Sequence, residues 1–265
     1  MKKGFWRGLL ILLAVLLLGY LAVRGYIALE TKKRADAPGN AAEYDVERLQ
    51  KNEASALTGK TILFLGSSVT EGAAAERQSF VELFEALDGV NVIKEAKSGT
   101  TLADRPSLPA LFFFGNGESY VKRLKQIDPD VQIDCVVVQL STNDATMKLP
   151  LGEIGGGDAK TVTGAMEWII RYSKDTWNCP VVFYTGSYYD SDAYAAMVER
   201  LYELQAQLDI GVIDLYTDEA FNAIEAETYG FYMYDSIHPT KAGYLEWWFP
   251  KMEADLLQIL GEKEA

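Results

Sequence analysis

Five short runs of apolar and β-branched residues recur along this chain, at 61–65, 91–93, 135–140, 181–185 and 211–215. Between and after them lie longer stretches whose apolar residues return at helical spacing, at 79–87, 118–127, 162–177 and 193–208. A last helical stretch follows Thr240, with Pro250 expected to kink or split it. Strands that are apolar throughout and alternate with helices have nowhere to sit except in a parallel sheet covered on both faces. The expectation is therefore α/β, a three-layer α/β/α sandwich around a five-stranded parallel sheet. A further helix is expected over 43–57. No internal repeat interrupts the pattern.

Ligands bind open sheets of this kind outside the carboxyl ends of the strands, so the residues that follow each strand are the ones to inspect. They are Gly66 to Gly72 after the first strand, Glu95 to Thr101 after the second, Ser141 to Asp144 after the third and Gly186 to Asp190 after the fourth. Small, hydroxylic and amide side chains thus collect along one edge.

The N-terminus lies outside this pattern. Residues 8–23 carry no charge, and apolar character resumes after Arg24. A bilayer core requires about 20 apolar residues, which the run reaches if Arg24 snorkels to the interface. Lys2, Lys3 and Arg7 precede it, as in a signal anchor, and no small-residue cleavage site stands out. The expected organisation is a transmembrane anchor over 1–30, a linker over 31–43 and one α/β domain over 44–265. The expected placement is single-pass in a bacterial cell membrane with the large domain outside, although Lys32, Lys33 and Arg34 put positive charge on that side too.

The chain has a net charge of −13, yet seven of its 25 Lys and Arg residues fall within residues 1–34, beside a single acid. Beyond residue 34 there are 18 bases against 37 acids. A domain that acidic repels phosphate backbones, which argues against nucleic acid as a partner. Cys135 and Cys179 fall in or beside apolar runs and are expected to be buried thiols, paired only if their strands are neighbours. With one histidine and no Cys/His cluster, a zinc site is not expected.

That single histidine, His238, sits in Asp235-Ser236-Ile237-His238-Pro239. An unperturbed imidazole exchanges protons near neutrality, which suits a general base. An aspartate three residues upstream is placed to orient it. Pro239 restricts the backbone of His238 toward extended conformations.

Four segments now stand in one order: Gly66-Ser67-Ser68-Val69-Thr70-Glu71-Gly72, Gly99, Ser141-Thr142-Asn143-Asp144 and Asp235-Ser236-Ile237-His238. Together they resemble the four blocks of the SGNH (GDSL-type) hydrolases, spread over nearly the whole domain. Ser67 replaces the usual aspartate before the nucleophile, and Ser141 the usual glycine before the asparagine. The resemblance implies a flavodoxin-like SGNH fold. It also implies Ser68 as nucleophile, His238 as base and then acid, Asp235 as its orienting carboxylate, and an oxyanion site built from Ser68 N–H, Gly99 N–H and the Asn143 side chain. The reaction it implies is carboxylic ester hydrolysis through an acyl-serine, without metal or organic cofactor, on small-molecule, glycan O-acyl or lipid esters. The rival readings are acyl transfer by the same residues, a non-catalytic carbohydrate-binding module, and a thioesterase or peptidase preference.

Softer features complete the reading. The apolar residues at 111–114 are expected in a loop that packs into the core, with an acyl pocket or a membrane contact as alternatives. The aromatics at 231–234 either flank the site or pack structurally. The Gly-rich stretch 147–158 is either a lid or a solvent loop. Tyr188, Tyr189 and Asp190 follow the fourth strand and are candidates to shape a substrate site.

Overall fold

A computed structural model describes residues 2–50, 55–115 and 117–264. Helix α1 (Lys2–Ala35) precedes β1 (Thr61–Gly66), α2 (Ser68–Glu71), α3 (Phe80–Leu83), β2 (Asn91–Ala96), α4 (Leu108–Phe114), α5 (Tyr120–Leu124), β3 (Cys135–Gln139) and α6 (Thr142–Thr146). There follow α7 (Val162–Trp177), β4 (Val181–Tyr184), α8 (Asp192–Leu208), β5 (Gly211–Ile213), α9 (Glu219–Asn222), α10 (Ala226–Tyr232) and α11 (Phe249–Glu264). The five strands form one sheet in the order β2-β1-β3-β4-β5, and every pairing is parallel.

Period-two alternation divides each strand between two cores. Leu63, Leu65, Val136, Val138, Val181 and Phe183 face the helices α5, α7 and α8. Ile62, Phe64, Val137, Val182, Tyr184 and Ile213 face α3 and α11. Burial on both faces explains why the strands read as unbroken apolar runs. Cys135 and Cys179 are free, buried thiols. From β1 the chain steps outward to β2 and then returns to place β3 on the other side of β1. The strand order therefore reverses between β1 and β3, the crevice where ligands bind in such sheets.

Three expectations need correction. Among the described residues, 43–57 holds no α-helix: it contains the 3-10 turns Ala42–Tyr44 and Val46–Arg48, while 51–54 lie outside the described residues. Tertiary bonds prevail over helical propensity there, because Val46 N–H donates to Gln78 Oε1 and Asp45 accepts from the buried Lys241. The apolar 111–114 stretch belongs to helix α4, and Leu111, Phe112 and Phe113 are exposed rather than in the core. At Pro250 the helix is not split. A wide π turn over Gly243–Trp248 runs into α11, with Phe249 N–H bonded to Tyr244 O, five residues back. Proline has no N–H to contribute, so it sits where the hydrogen-bond register changes.

Helix α1 is long and apolar enough to cross a membrane, with a mean hydropathy of 2.2 in its most apolar window and no residue of that window buried. It runs directly into three 3-10 turns over 38–48. Asn40 is buried and donates to both Arg34 O and Ala74 O at 2.6 Å, while its Oδ1 accepts from Lys241 N–H at 2.8 Å.

Candidate active site

Strand β1 ends in a turn that only a few residue types permit. A Cβ on Gly66 would lie 1.7 Å from Thr70 Oγ1 and 2.9 Å from Gln139 Oε1, so residue 66 must be glycine for Thr70 and Gln139 to close over it. Gln139, the last residue of β3, is buried and its Oε1 accepts from Ser67 N–H and Thr70 Oγ1, both at 2.8 Å. Thr70 Oγ1 also lies 2.6 Å from the Tyr184 hydroxyl. Ser68 opens α2, where a first-turn N–H has no partner within the helix. Gly72, with φ +75°, closes that helix in the left-handed region.

The turn that carries His238 is equally fixed. Tyr234 N–H donates to His238 O at 2.9 Å, and Thr240 N–H to Tyr232 O at 2.8 Å. Asp235 Oδ1 accepts from the backbone N–H groups of Ile237 and His238. Both Asp235 oxygens lie 2.9 Å from His238 Nδ1, and His238 Nε2 lies 2.8 Å from Ser68 Oγ across 170 residues of sequence. Burial alone would raise the Asp235 carboxyl, but the His238 ring and the two backbone N–H groups hold it down to about 2. It is thus ionised near neutrality and accepts only, which places the imidazole proton on Nδ1 and leaves Nε2 to accept from the serine hydroxyl.

The third part comes from the ends of β2 and β3. Gly99 adopts φ +74°, a conformation that favours glycine. Next to it, Thr100 O accepts from Asn143 Nδ2 at 2.9 Å. This bond fixes the Asn143 amide and leaves its second N–H for another acceptor. Glu71 ties α2 to this loop by accepting from Ser98 N–H at 2.8 Å. Arg123, fully buried, donates to Gly66 O at 2.8 Å, Glu95 O at 2.7 Å and Thr100 Oγ1 at 3.2 Å, so one guanidinium joins the ends of β1 and β2. Asp144 receives Leu102 N–H and Ala103 N–H at 2.8 and 2.9 Å. Its burial pushes the carboxyl up to about 6 against the opposing pull of Ser141 and those two N–H groups.

All five residues singled out in the sequence, Ser68, Gly99, Asn143, Asp235 and His238, lie at or beside the carboxyl edge of the sheet, and the first and last two form one hydrogen-bonded chain. Gln139 and Arg123 escaped the sequence reading. The signal for Gln139 was a lone amide closing an apolar strand; Arg123 resembles any exposed basic residue on a helix. Tyr188, Tyr189 and Asp190 line a cleft of about 420 Å³ with Asn222, Tyr229 and Ser236, the last lying between Asp235 and His238 in sequence. The 147–158 stretch is tied down rather than loose: Leu149, Leu151 and Ile154 pack on the core, and Gly155 N–H donates to the Glu167 carboxylate. The aromatics at 231–234 serve packing, with Phe231 edge-on to Tyr44 and Tyr232 stacked with Trp247. Among the described residues, no three His, Cys, Asp or Glu side chains converge as a metal site would require.

The sequence model of the GDSL-like lipase/acylhydrolase family matches residues 64–245, which takes in all four segments. No curated protein matches the chain. Solved structures do. A protein from Lactobacillus plantarum superimposes with a TM-score of 0.61 at 20% identity, covering 77% of this chain and 98% of its own. A possible lipase from Chitinophaga pinensis gives 0.54 at 15% identity over 77% and 98%. The acetyl xylan esterase AlAXEase gives 0.52 at 16% identity over 73% and 98%. At such identities the likeness is one of fold.

Proposed function

Because the chain belongs to the GDSL-like lipase/acylhydrolase family, we propose that it is a serine esterase in which Ser68, His238 and Asp235 act as a catalytic triad. The observation that carries this reading is the continuous path from Ser68 Oγ to His238 Nε2 and from His238 Nδ1 to the Asp235 carboxylate. A serine hydroxyl is a weak nucleophile until a base takes its proton, and this path supplies one.

Ser68 Oγ attacks the ester carbonyl carbon as its proton passes to His238 Nε2. Asp235 stabilises the imidazolium that forms. The carbonyl oxygen, now carrying the negative charge, takes hydrogen bonds from Ser68 N–H, Gly99 N–H and Asn143 Nδ2–H. His238 then returns the proton to the alcohol oxygen as the C–O bond breaks, leaving acyl-Ser68. Water, deprotonated by the same nitrogen, attacks the acyl carbon and frees the acid and the serine. Every proton move uses His238, so a protonated imidazole stops the first step.

The substrate class we propose is a carboxylic ester at a cell surface, either an O-acyl group on a glycan or a lipid ester. The cleft beside the 235–238 turn supports the glycan form, since the Tyr188, Tyr189 and Tyr229 rings and the polar groups of Asp190 and Asn222 suit the faces and hydroxyls of a sugar. Helix α1 is the single-pass anchor in this reading, with the catalytic domain on the outer side of a bacterial membrane. The acidic surface disfavours nucleic acid as a partner.

Fluorophosphonate labelling tests the chemistry. The wild-type chain should label, and Ser68→Ala and His238→Ala should not. A folded wild type that stays unlabelled sinks the esterase reading. Labelling that survives Ser68→Ala means another nucleophile. A panel of acylated sugars and lipid esters then separates the two substrate forms.

A further inference from the structure

Helix α4 presents its apolar side outward. Leu108, Leu111 and Phe112, which share one helical face at spacings of three and four, are 70%, 55% and 70% exposed. Phe113, 44% exposed, adds its ring edge-on to Phe112 at 5.2 Å. The helix is nonetheless built to stay in place. Ser107 caps it by accepting from Ala110 N–H, Gly115 ends it at φ +75°, Ser107 N–H donates to Gly117 O, and Ala110 is fully buried. A capped helix that buries Ala110 yet leaves Leu108, Leu111 and Phe112 in water calls for a partner.

Its position says which partner. A cleft of about 400 Å³ separates Phe112, Phe113 and Gly115 from Tyr20, Val23, Arg24 and Ile27 of α1. Those four residues form one face of α1, and they mark the place where its uncharged run gives way to Arg24. A hydrocarbon core accommodates about 20 helical residues at about 1.5 Å each, so a helix whose apolar run begins at Gly8 leaves the core near this level. The patch on α4 therefore lies at the depth of the headgroup boundary, where Tyr20 and Tyr26 also stand exposed and where aromatic side chains are favoured.

We propose that α4 is a second membrane contact, inserting Leu108, Leu111, Phe112 and Phe113 into the same leaflet from which α1 emerges. The occupant is lipid. The inference rests on the anchor reading of α1 but not on the catalytic one.

The test uses the full chain in nanodiscs of phosphatidylcholine and phosphatidylglycerol, one copy per disc. An environment-sensitive nitrobenzoxadiazole label is placed at Leu108→Cys, Phe112→Cys, Leu16→Cys as the lipid reference and Glu199→Cys as the water reference, with doxyl lipids as quenchers. The native Cys135 and Cys179 are buried, and the chain without an added cysteine gives the background. We expect labels at 108 and 112 to shift to the blue and lose emission to doxyl lipids as the label at 16 does, while the label at 199 does neither. If 16 reports lipid and both α4 positions report water, α4 is not a membrane contact and a protein partner, such as a second copy of this chain, becomes its occupant. If 16 also reports water, the anchor reading has failed and the inference falls with it. Both failures leave fluorophosphonate labelling of Ser68 unaffected, so neither is confused with failure of the esterase reading.

Discussion

Replacing Gln139 with methionine should separate the support of the nucleophile turn from its chemistry. The two side chains are close in length, so little volume is lost, but methionine has no comparable acceptor. In the native chain Gln139 Oε1 accepts from Ser67 N–H and Thr70 Oγ1 at 2.8 Å, with Ser67 Oγ at 3.3 Å. After the change, the Thr70 hydroxyl can still donate to Tyr184, which lies 2.6 Å away. The fully buried Ser67 N–H has no such reserve. The Thr70 N–H, 3.4 Å from the same oxygen, loses its acceptor as well; leaving a buried donor unpaired costs about 1–3 kcal/mol, so the urea midpoint in detergent should fall by an amount equivalent to at least about 2 kcal/mol at unchanged slope. Ser68 follows Ser67 directly, and misplacing a nucleophile by about 1 Å can cost on the order of a hundredfold. Turnover should therefore drop well below wild type with little change in KM. Ser67→Ala is the control, because it keeps both 2.8 Å bonds to Gln139 and, of that oxygen's partners, removes only the hydroxyl at 3.3 Å, so it should cost under about 1 kcal/mol. A methionine variant as stable and as active as the control would refute the claim that Gln139 holds this turn.

Asn143→Ala should lower ester turnover by roughly a hundredfold to a thousandfold, the usual cost of one oxyanion donor, as read by steady-state kinetics on a soluble ester. Gly66→Ala should destabilise by about 1–3 kcal/mol through overpacking, because its Cβ meets Thr70 Oγ1 at 1.7 Å; an unchanged melting temperature would contradict that contact. Asp144 gives a pH signature. With its carboxyl at about 6 in the fold against 3.8 as the ordinary value, the folded chain holds more protons across that window. Its contribution to stability is then full at the acid end and lost as pH rises through about 6, so urea midpoints for wild type and Asp144→Asn should diverge with rising pH.

The sheet was legible because its inner strands are buried on both faces, so that polar residues such as Thr61 and Gln139 fall only at strand ends and leave the apolar runs intact. The exception locates the limit. β2 extends to Ala96, three residues past its apolar run, since at a sheet edge Lys94 can turn outward to the Glu82 carboxylate and Glu95 can meet Arg123. The residues that converge at the candidate site were legible because each follows a strand or precedes the last long helix. Their supports were not. Nothing in a string of letters distinguishes Arg123 in solvent from Arg123 buried against two strand ends, and only the folded topology brings Gln139 beside Ser67. The 43–57 segment misled for the same reason: its conformation is set by Lys241 and Gln78, both distant in sequence.

The turns over 38–48 also bear on what the site can touch. Asn40 binds the end of α1 to Ala74 and Lys241, Arg34 donates to Ala73 O and lies over the Tyr234 ring, and Glu30 accepts from the Tyr234 hydroxyl. A flexible tether gives a tethered enzyme a radius that grows with its length. Here there is no slack, and the last helical turn of α1 grips the residue next to Asp235. A site fastened in this way works at one height and one tilt above whatever surface holds α1. Under the esterase and anchor readings proposed above, such a site would select ester bonds by their altitude before it selects them by their chemistry, and would meet them by lateral diffusion, not by reaching.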